Sequence, residues 1–330
     1  MGAPGYMLFN LYTLLFSCGC VLMGFIDRLR EDIGVLKRRR NAIILAHNYM
    51  PPEVQDIADY VGDSLELAKK ALETSADVIV FAGVSFMADI AAILNPDKIV
   101  LHPEPCSRCV LADMLTKDHV MRAREEYPGA PLVLYINSPT ELKVYADYIV
   151  TSSSASKLVS KLDNETILFG PDRNLADHVA RETGKEVVAV PPHGNCPVHQ
   201  YLLGEYHVRR ALEEHPGAKL IVHPETPSSV RGMADYIGST SQMLKAIGSI
   251  EASEYLIGTE EGLVYRARKL YPDKKIYPVN PQAICIDMKK INLLNIRCSL
   301  ENLKPRVEID PVVARRVREV MEESLRIIGG

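Results

Sequence analysis

The sequence predicts an α/β protein of three pseudo-threefold-related domains, each a small parallel sheet flanked by helices. Three observations predict it. One segment recurs every 88 residues. Short apolar runs alternate with helical patterns inside each copy. The chain has 330 residues and is 47% hydrophobic, enough for a large buried core.

The repeat carries most of the weight. Ile44-Leu45-Ala46-His47-Asn48-Tyr49 is followed by Ala58-Asp59-Tyr60. Val133-Leu134-Tyr135-Ile136-Asn137 is followed by Ala146-Asp147-Tyr148, and Ile221-Val222-His223-Pro224-Glu225 by Ala234-Asp235-Tyr236. A proline begins the intervening stretch in each copy (Pro52, Pro139, Pro227), and a hydroxyl follows each triplet (Ser64, Ser152, Thr240). One Ala-Asp-Tyr means nothing; three at constant spacing with matching neighbours define a unit.

The other elements follow in order. Val78 to Phe81, Ile167 to Phe169 and Tyr255 to Ile257 are β-rich runs, each with a glycine close behind (Gly83, Gly170, Gly258). Ile99 to Leu101, Val187 to Val190 and Ile276 to Val279 form the next set. Short apolar runs bounded by Gly and Pro read as buried strands. Leu65 to Leu72 and Val120 to Glu126 have helical patterns. Strand–helix alternation argues parallel sheets with right-handed crossovers. We divide the chain into residues 24–115, 116–203 and 204–330, the last carrying a C-terminal helix.

Residues 1–23 form an apolar extension. Tyr6 to Ile26 carries no charge over 21 residues, long enough to span a membrane. It lacks the basic leader of a signal peptide. Arg28, Arg30 and Lys37 to Arg40 follow, which would leave the remainder in the cytoplasm. The preferred expectation is a start assigned too early, with Met23-Gly24 as the normal N-terminus, no membrane partner and a cytoplasmic protein.

Formal net charge is −4, so no basic excess points to nucleic acid. Seven cysteines, odd in number and widely spread, suit free thiols or metal ligands better than a secreted disulfide framework.

In open parallel sheets, ligands bind beyond the carboxyl ends of the strands. His47, Tyr135 and His223 share one repeat position at the first strand's end; Tyr49, Asn137 and Glu225 share another two residues on. Alternate residues of an extended chain point the same way. Ser64, Ser152 and Thr240 precede helices, where a hydroxyl is usually an N-cap and an anion can also bind. Each residue alone has a packing or capping explanation. Polar residues of different types at equivalent positions fit one asymmetric substrate shared by three domains.

The cysteines obey the same period. Cys109, Cys196 and Cys285 stand 87 and 89 residues apart, each in a Pro-containing loop after the last strand of its copy. Thiolates suit zinc or iron–sulfur clusters. Three distant, symmetric thiols would fill three corners of a [4Fe–4S] cubane and leave one iron open as a Lewis acid. Zinc stays open at this point: Cys106 can pair with Cys109, and His193 and His199 flank Cys196. Cys18, Cys20 and Cys298 have no repeat counterparts and read as non-ligands.

These stretches resemble the quinolinate synthase family, the A-type enzymes of NAD biosynthesis. The resemblance runs in order through Ile44 to Tyr49, Cys109 to Met114, Tyr135 to Ser138, Thr151 to Ser153, Gly170 to Leu175, Gly194 to His199, His223 to Glu225, Gly238 to Ser241 and Cys285 to Lys289. It implies three α/β domains around a [4Fe–4S] cluster held by Cys109, Cys196 and Cys285. It implies condensation of iminosuccinate (iminoaspartate) with dihydroxyacetone phosphate to quinolinate, releasing phosphate and two waters. His47, Ser64, Tyr135, Asn137, Ser152, His223, Glu225 and Thr240 match substrate-contacting positions, and Tyr49 an active-site tyrosine. The imine would come from an L-aspartate oxidase or dehydrogenase. The chain departs from the pattern in its apolar leader and in Cys-x-x-Cys at the first ligand. Proton abstraction beside a carbonyl needs a carboxylate or imidazole within hydrogen-bond reach. Glu225 near His223 is the expected base, with Tyr49 and His47 delivering protons. A non-catalytic iron–sulfur sensor or carrier and a zinc-dependent lyase are the competing readings.

Overall fold

The computed structural model describes residues 24–329. The apolar extension and the expectation about its start lie outside them. Helix 24–40 opens the described chain and leads into twelve strands. Unit 1 supplies β1 (Ala42–His47), β2 (Tyr60–Gly62), β3 (Val78–Ala82) and β4 (Ile99–Leu101). Unit 2 supplies β5 (Leu132–Tyr135), β6 (Tyr148–Val150), β7 (Thr166–Gly170) and β8 (Glu186–Ala189). Unit 3 supplies β9 (Lys219–Val222), β10 (Tyr236–Ile237), β11 (Glu254–Gly258) and β12 (Lys275–Pro278).

The three sheets have one topology, β2-β1-β3-β4, β6-β5-β7-β8 and β10-β9-β11-β12. Every strand pairing in them is parallel. The chain reverses direction across the sheet between first and third strands, and such switch points are where open sheets bind ligands. Central strands are apolar throughout because helices cover both faces: β3 and β5 are buried at every residue.

The recurring aspartate has a structural role. Asp59 donates its N–H to the Ile44 carbonyl and accepts the Ile44 N–H on its carboxylate at 2.7 Å. Asp147 does the same with Leu132, and Asp235 with Leu220, at 2.7 and 2.8 Å. A cation rests on each: Lys37, Arg124 and Lys219. The carboxylate thus pairs a first-strand N–H and sets the register of the second strand beside it. Removing it strands a donor on the fully buried Leu132, which costs about 1–3 kcal/mol. Asp147→Ala therefore lowers the unfolding free energy by that amount, read as a lower urea midpoint at unchanged m-value.

In sequence, residues after Ile291 follow unit 3; in space they cover units 1 and 2. Ile291, Leu293, Ile296 and Leu300 join the core of the first two sheets. Helix Pro311–Gly329 buries Val317 and Val320 there, and its Ser324 hydroxyl accepts the Ile149 N–H at 2.9 Å. This strap bonds to unit 2 through Ser324 and to unit 1 through Arg318, which donates to the Ile93 carbonyl. Among the described residues, no helix is long and apolar enough to cross a membrane.

Candidate active site

The carboxyl ends of the three sheets converge on one cavity of about 400 Å³. Its wall includes His47, Tyr49, Ser64, Cys109, Tyr135, Asn137, Ser152, Cys196, His223, Glu225, Thr240 and Cys285. The twelve residues singled out from the sequence therefore face a common space.

Tyr49 and Glu225, two residues after the histidines, get there by a turn and not by an extended strand. β1 ends at His47, the chain turns with Met50 N–H on the His47 carbonyl, and Thr226 repeats that bond on His223. In both turns the ring closes the loop: Nδ1 of His47 faces the Tyr49 N–H at 3.2 Å, and Nδ1 of His223 faces the Glu225 N–H at 3.3 Å. An accepting Nδ1 puts the proton of the neutral ring on Nε2. Burial keeps both rings neutral, lowering His47 to about 4 and His223 to about 3. Each is then an uncharged Nε2–H donor fixed by its own backbone.

Those lowered values set a pH dependence. An unfolded histidine titrates near 6.5, so between 6.5 and 4 the unfolded chain binds protons that the folded chain refuses. Stability therefore falls as pH falls, by up to about 1.4 kcal/mol per unit for each ring. Denaturant midpoints of the metal-free chain should drop from pH 7 to pH 5, and His47→Asn should make that slope shallower. An unchanged slope would mean the ring is protonated in the native state.

The hydroxyls differ from expectation in one respect. Asp63 and Ser239, each one residue earlier, cap helices Ser64–Glu73 and Thr240–Ser249, and the third helix starts at Ala155 after Ser154. Asp63 accepts from two amides and Ser239 from one, so capping is complete without Ser64 and Thr240. Their hydroxyls are released to the cavity, where Thr240 also accepts from the buried Asn48 amide at 2.9 Å.

Glu225 has a nearer partner than His223. Its Oε2 lies 2.9 Å from Nδ1 of His199, a ring buried to 2% exposure and stacked on His223 at 4.9 Å. Nε2 of His199 meets the Thr259 hydroxyl at 2.8 Å, and that oxygen meets the Tyr49 hydroxyl at 2.5 Å. Glu225 thus abuts a hydrogen-bonded His199–Thr259–Tyr49 chain across a 2.9 Å contact in which Nδ1 of His199 makes no well-aligned hydrogen bond. Burial works to raise the Glu225 carboxyl, but the His199 and His223 rings and the Tyr135 hydroxyl outweigh it and bring it to about 2. Burial and the Glu225 charge raise Tyr49 and Tyr135, so both phenols are neutral donors.

Sequence reasoning treated His199 only as a possible zinc ligand and did not find Thr259. The signal for His199 was its place three residues after Cys196. Thr259 stands where units 1 and 2 carry Gly83 and Pro171, so the repeat gives it no mark.

Cys109, Cys196 and Cys285 are free thiols, each at the N-terminal boundary of a short helix. Burial raises all three, Cys285 to about 11; Cys285 adds to the rise of Cys109 and Cys196, and Cys109 to that of Cys196. The amides of Ala112, His199 and Met288 face the sulfurs and offset part of this, although none closes a regular cap. The cavity wall adds Asp63, Glu225, Glu260 and Asp287 but no lysine or arginine. Three thiols and four acids with no lysine or arginine suit a thiophilic cation, because coordination deprotonates a thiol that burial holds neutral. Cys106 and Cys298 are exposed and off this wall, and His193 is exposed against His119. Cys196, His199 and Glu225 also bring donor atoms within 4.8 Å of one another, a possible metal-binding group.

Three alike parallel sheets that pool thiols, imidazoles and a paired carboxylate in one enclosed space define an α/β enzyme with a composite centre. The profile of the quinolinate synthetase A protein family matches residues 31–326. The quinolinate synthase of Pyrococcus horikoshii is 52% identical over 300 residues, covering 91% of this chain and 99% of that protein. The quinolinate synthase of Thermococcus kodakarensis is 51% identical over 301 residues, at 91% and 99% coverage. That of Thermotoga petrophila is 44% identical over 299 residues, at the same coverages. The chain belongs to the quinolinate synthetase A protein family.

Proposed function

We propose that this enzyme makes quinolinate from iminosuccinate and dihydroxyacetone phosphate, releasing phosphate and two waters, in cytoplasmic NAD biosynthesis. The observation that carries the reading is three half-buried, unpaired thiols, one from the same loop of each unit, on a cavity whose wall has no lysine or arginine. Cys109, Cys196 and Cys285 would hold a [4Fe–4S] cluster. When bound, the cluster supplies an iron corner that acts as a Lewis acid on a leaving hydroxyl.

The remaining chemistry belongs to the side chains. The substrates bring two carboxylates and a phosphate to neutral donors: Nε2–H of His47 and His223, the hydroxyls of Ser64, Ser152, Thr240 and Tyr135, and the Asn137 amide. Neutral donors position anions without trapping them as ion pairs. Glu225 is ionised at working pH and serves as general base for abstraction next to a carbonyl. His199 and Thr259 link it to Tyr49, so a proton taken at one end can be returned from the Tyr49 hydroxyl at the other. His47 donates beside Tyr49, its ring 4.5 Å away edge-on. An L-aspartate oxidase or dehydrogenase would supply the imine, which hydrolyses in water.

The test is anaerobic reconstitution with iron and sulfide, followed by a quinolinate assay with both substrates. A brown protein with about four irons per chain that forms quinolinate supports the reading. The Cys196–His199–Glu225 group favours one other reading, a zinc-dependent lyase. It requires a colourless protein that holds one zinc and loses activity to zinc chelation. A closed sensor or carrier cluster would need a fourth protein ligand. Neither Cys106 nor Cys298 reaches the cavity to provide it.

A further inference from the structure

Two buried carboxylates that play no part in the proton chain stand behind two of the thiols. Asp172 and Glu260 occupy one repeat position, 88 residues apart, each two residues past the glycine that ends its third strand. Asp172 is 0% exposed and Glu260 1%. Both make the same pair of bonds. Asp172 accepts the Leu175 N–H on Oδ1 at 2.8 Å and the Cys196 N–H on Oδ2 at 3.0 Å. Glu260 accepts the Gly262 N–H on Oε2 at 2.8 Å and the Cys285 N–H on Oε1 at 3.0 Å.

Each carboxylate therefore pins a thiol-bearing loop to the start of the helix behind the third strand. A weaker link is common to all three units. The carbonyl two residues before each cysteine (Ser107, Gly194, Ala283) accepts an N–H from that helix start, at 2.8, 2.8 and 3.0 Å. Unit 1 stops there: Val84 replaces the acid, and among the described residues no carboxylate accepts the Cys109 N–H. Unit 2 manages with the shorter acid because its loop comes closer. A Cβ on Gly194 would lie 1.9 Å from the Pro171 carbonyl oxygen, and one on Gly170 2.2 Å from that of Val190. Glu260 additionally lies 2.9 Å from Lys289 Nζ, which donates to the Tyr49 carbonyl at 2.7 Å. Burying a carboxylate to serve two amides is costly, and both acids spend one oxygen on the amide of a cysteine.

We propose that Asp172 and Glu260 are positioning residues for the metal centre, holding Cys196 and Cys285 in ligating geometry before metal arrives. The Cys109 loop has no such carboxylate; its ties are the backbone link, the Ser107 hydroxyl on the Asp287 carbonyl and Lys290 Nζ on the Cys106 carbonyl. This inference rests on the three-thiol reading above.

Asp172→Asn and Glu260→Gln keep shape but present an amide to a backbone donor. Asp147→Asn is the control, a carboxylate bonded to backbone far from the thiols. Two measurements decide. One is iron retention against a chelator under anaerobic conditions; the other is iodoacetamide labelling of each cysteine in the metal-free chain, read by mass spectrometry. We expect each clamp variant to release iron about 10–100-fold more readily and to label its own cysteine about tenfold faster. That cysteine is Cys196 for Asp172→Asn and Cys285 for Glu260→Gln, with the other two thiols unchanged. The control should lose stability without either effect. Iron retention equal to the parent, or labelling accelerated alike at all three cysteines, overturns the proposal. Where an amide variant does not fold, Asp172→Glu and Glu260→Asp, which keep the carboxyl group but misplace it, must show the same selective labelling. A parent chain that binds no iron defeats the three-thiol reading instead, and the labelling then decides the clamp by itself.

Discussion

Serine in place of Cys109, Cys196 or Cys285 should abolish quinolinate formation and strip the reconstituted protein of its iron if these thiols hold the proposed cluster. Losing a supporting partner of a metal ligand already costs 10–100-fold in affinity, so loss of a ligand should exceed about 100-fold. Serine preserves size, but its hydroxyl ionises far less readily than a thiol and binds iron poorly in a buried site. The three substitutions should act alike, because each removes one corner of the same support. Cys106→Ala and Cys298→Ala are the controls, since both residues are exposed and away from the cavity. Iron content, visible absorbance and quinolinate yield provide the readouts. A full iron complement in Cys285→Ser, or its loss in Cys106→Ala, would reassign the ligand set.

Glu225→Gln should separate the metal from the proton chemistry. Glutamine keeps the volume of a side chain that is 3% exposed, and the thiols keep their surroundings, so iron and colour remain. The base is gone, and kcat should fall by about 10²–10⁴-fold with a smaller change in KM. Tyr49→Phe removes the hydroxyl at the far end of the same chain. If Glu225 and Tyr49 work through His199 and Thr259, the double variant should be no slower than the worse single one, because parts of one unit are not additive. Multiplying losses would instead put the two residues in separate steps. Parental turnover in Glu225→Gln would remove the carboxylate from the mechanism.

The strongest sequence signal was the period, and the structure explains its persistence. Asp59, Asp147 and Asp235 recur because each completes the hydrogen bonding of its own first strand. That is a local requirement, met within some fifteen residues, and it leaves the same mark in every unit. The polar residues at the strand ends were legible for a related reason: parallel sheets send those positions to the ligand side. The hydroxyls were half legible. Their place at the helix starts was visible, but Asp63 and Ser239 took the capping role one residue earlier.

The alternation of short apolar strands and helices determined the three-unit architecture. Equal spacing determined that His47, Tyr135, His223 and the three cysteines hold equivalent places. Tertiary structure alone decided the pairings: His199 of unit 2 against Glu225 of unit 3, and Thr259 of unit 3 between that imidazole and Tyr49 of unit 1. The physical reason is that a sheet's hydrogen bonds and burial are satisfied within one unit and so imprint a spacing on the chain. Contacts between units depend on how three finished sheets pack, and no interval along the sequence records that.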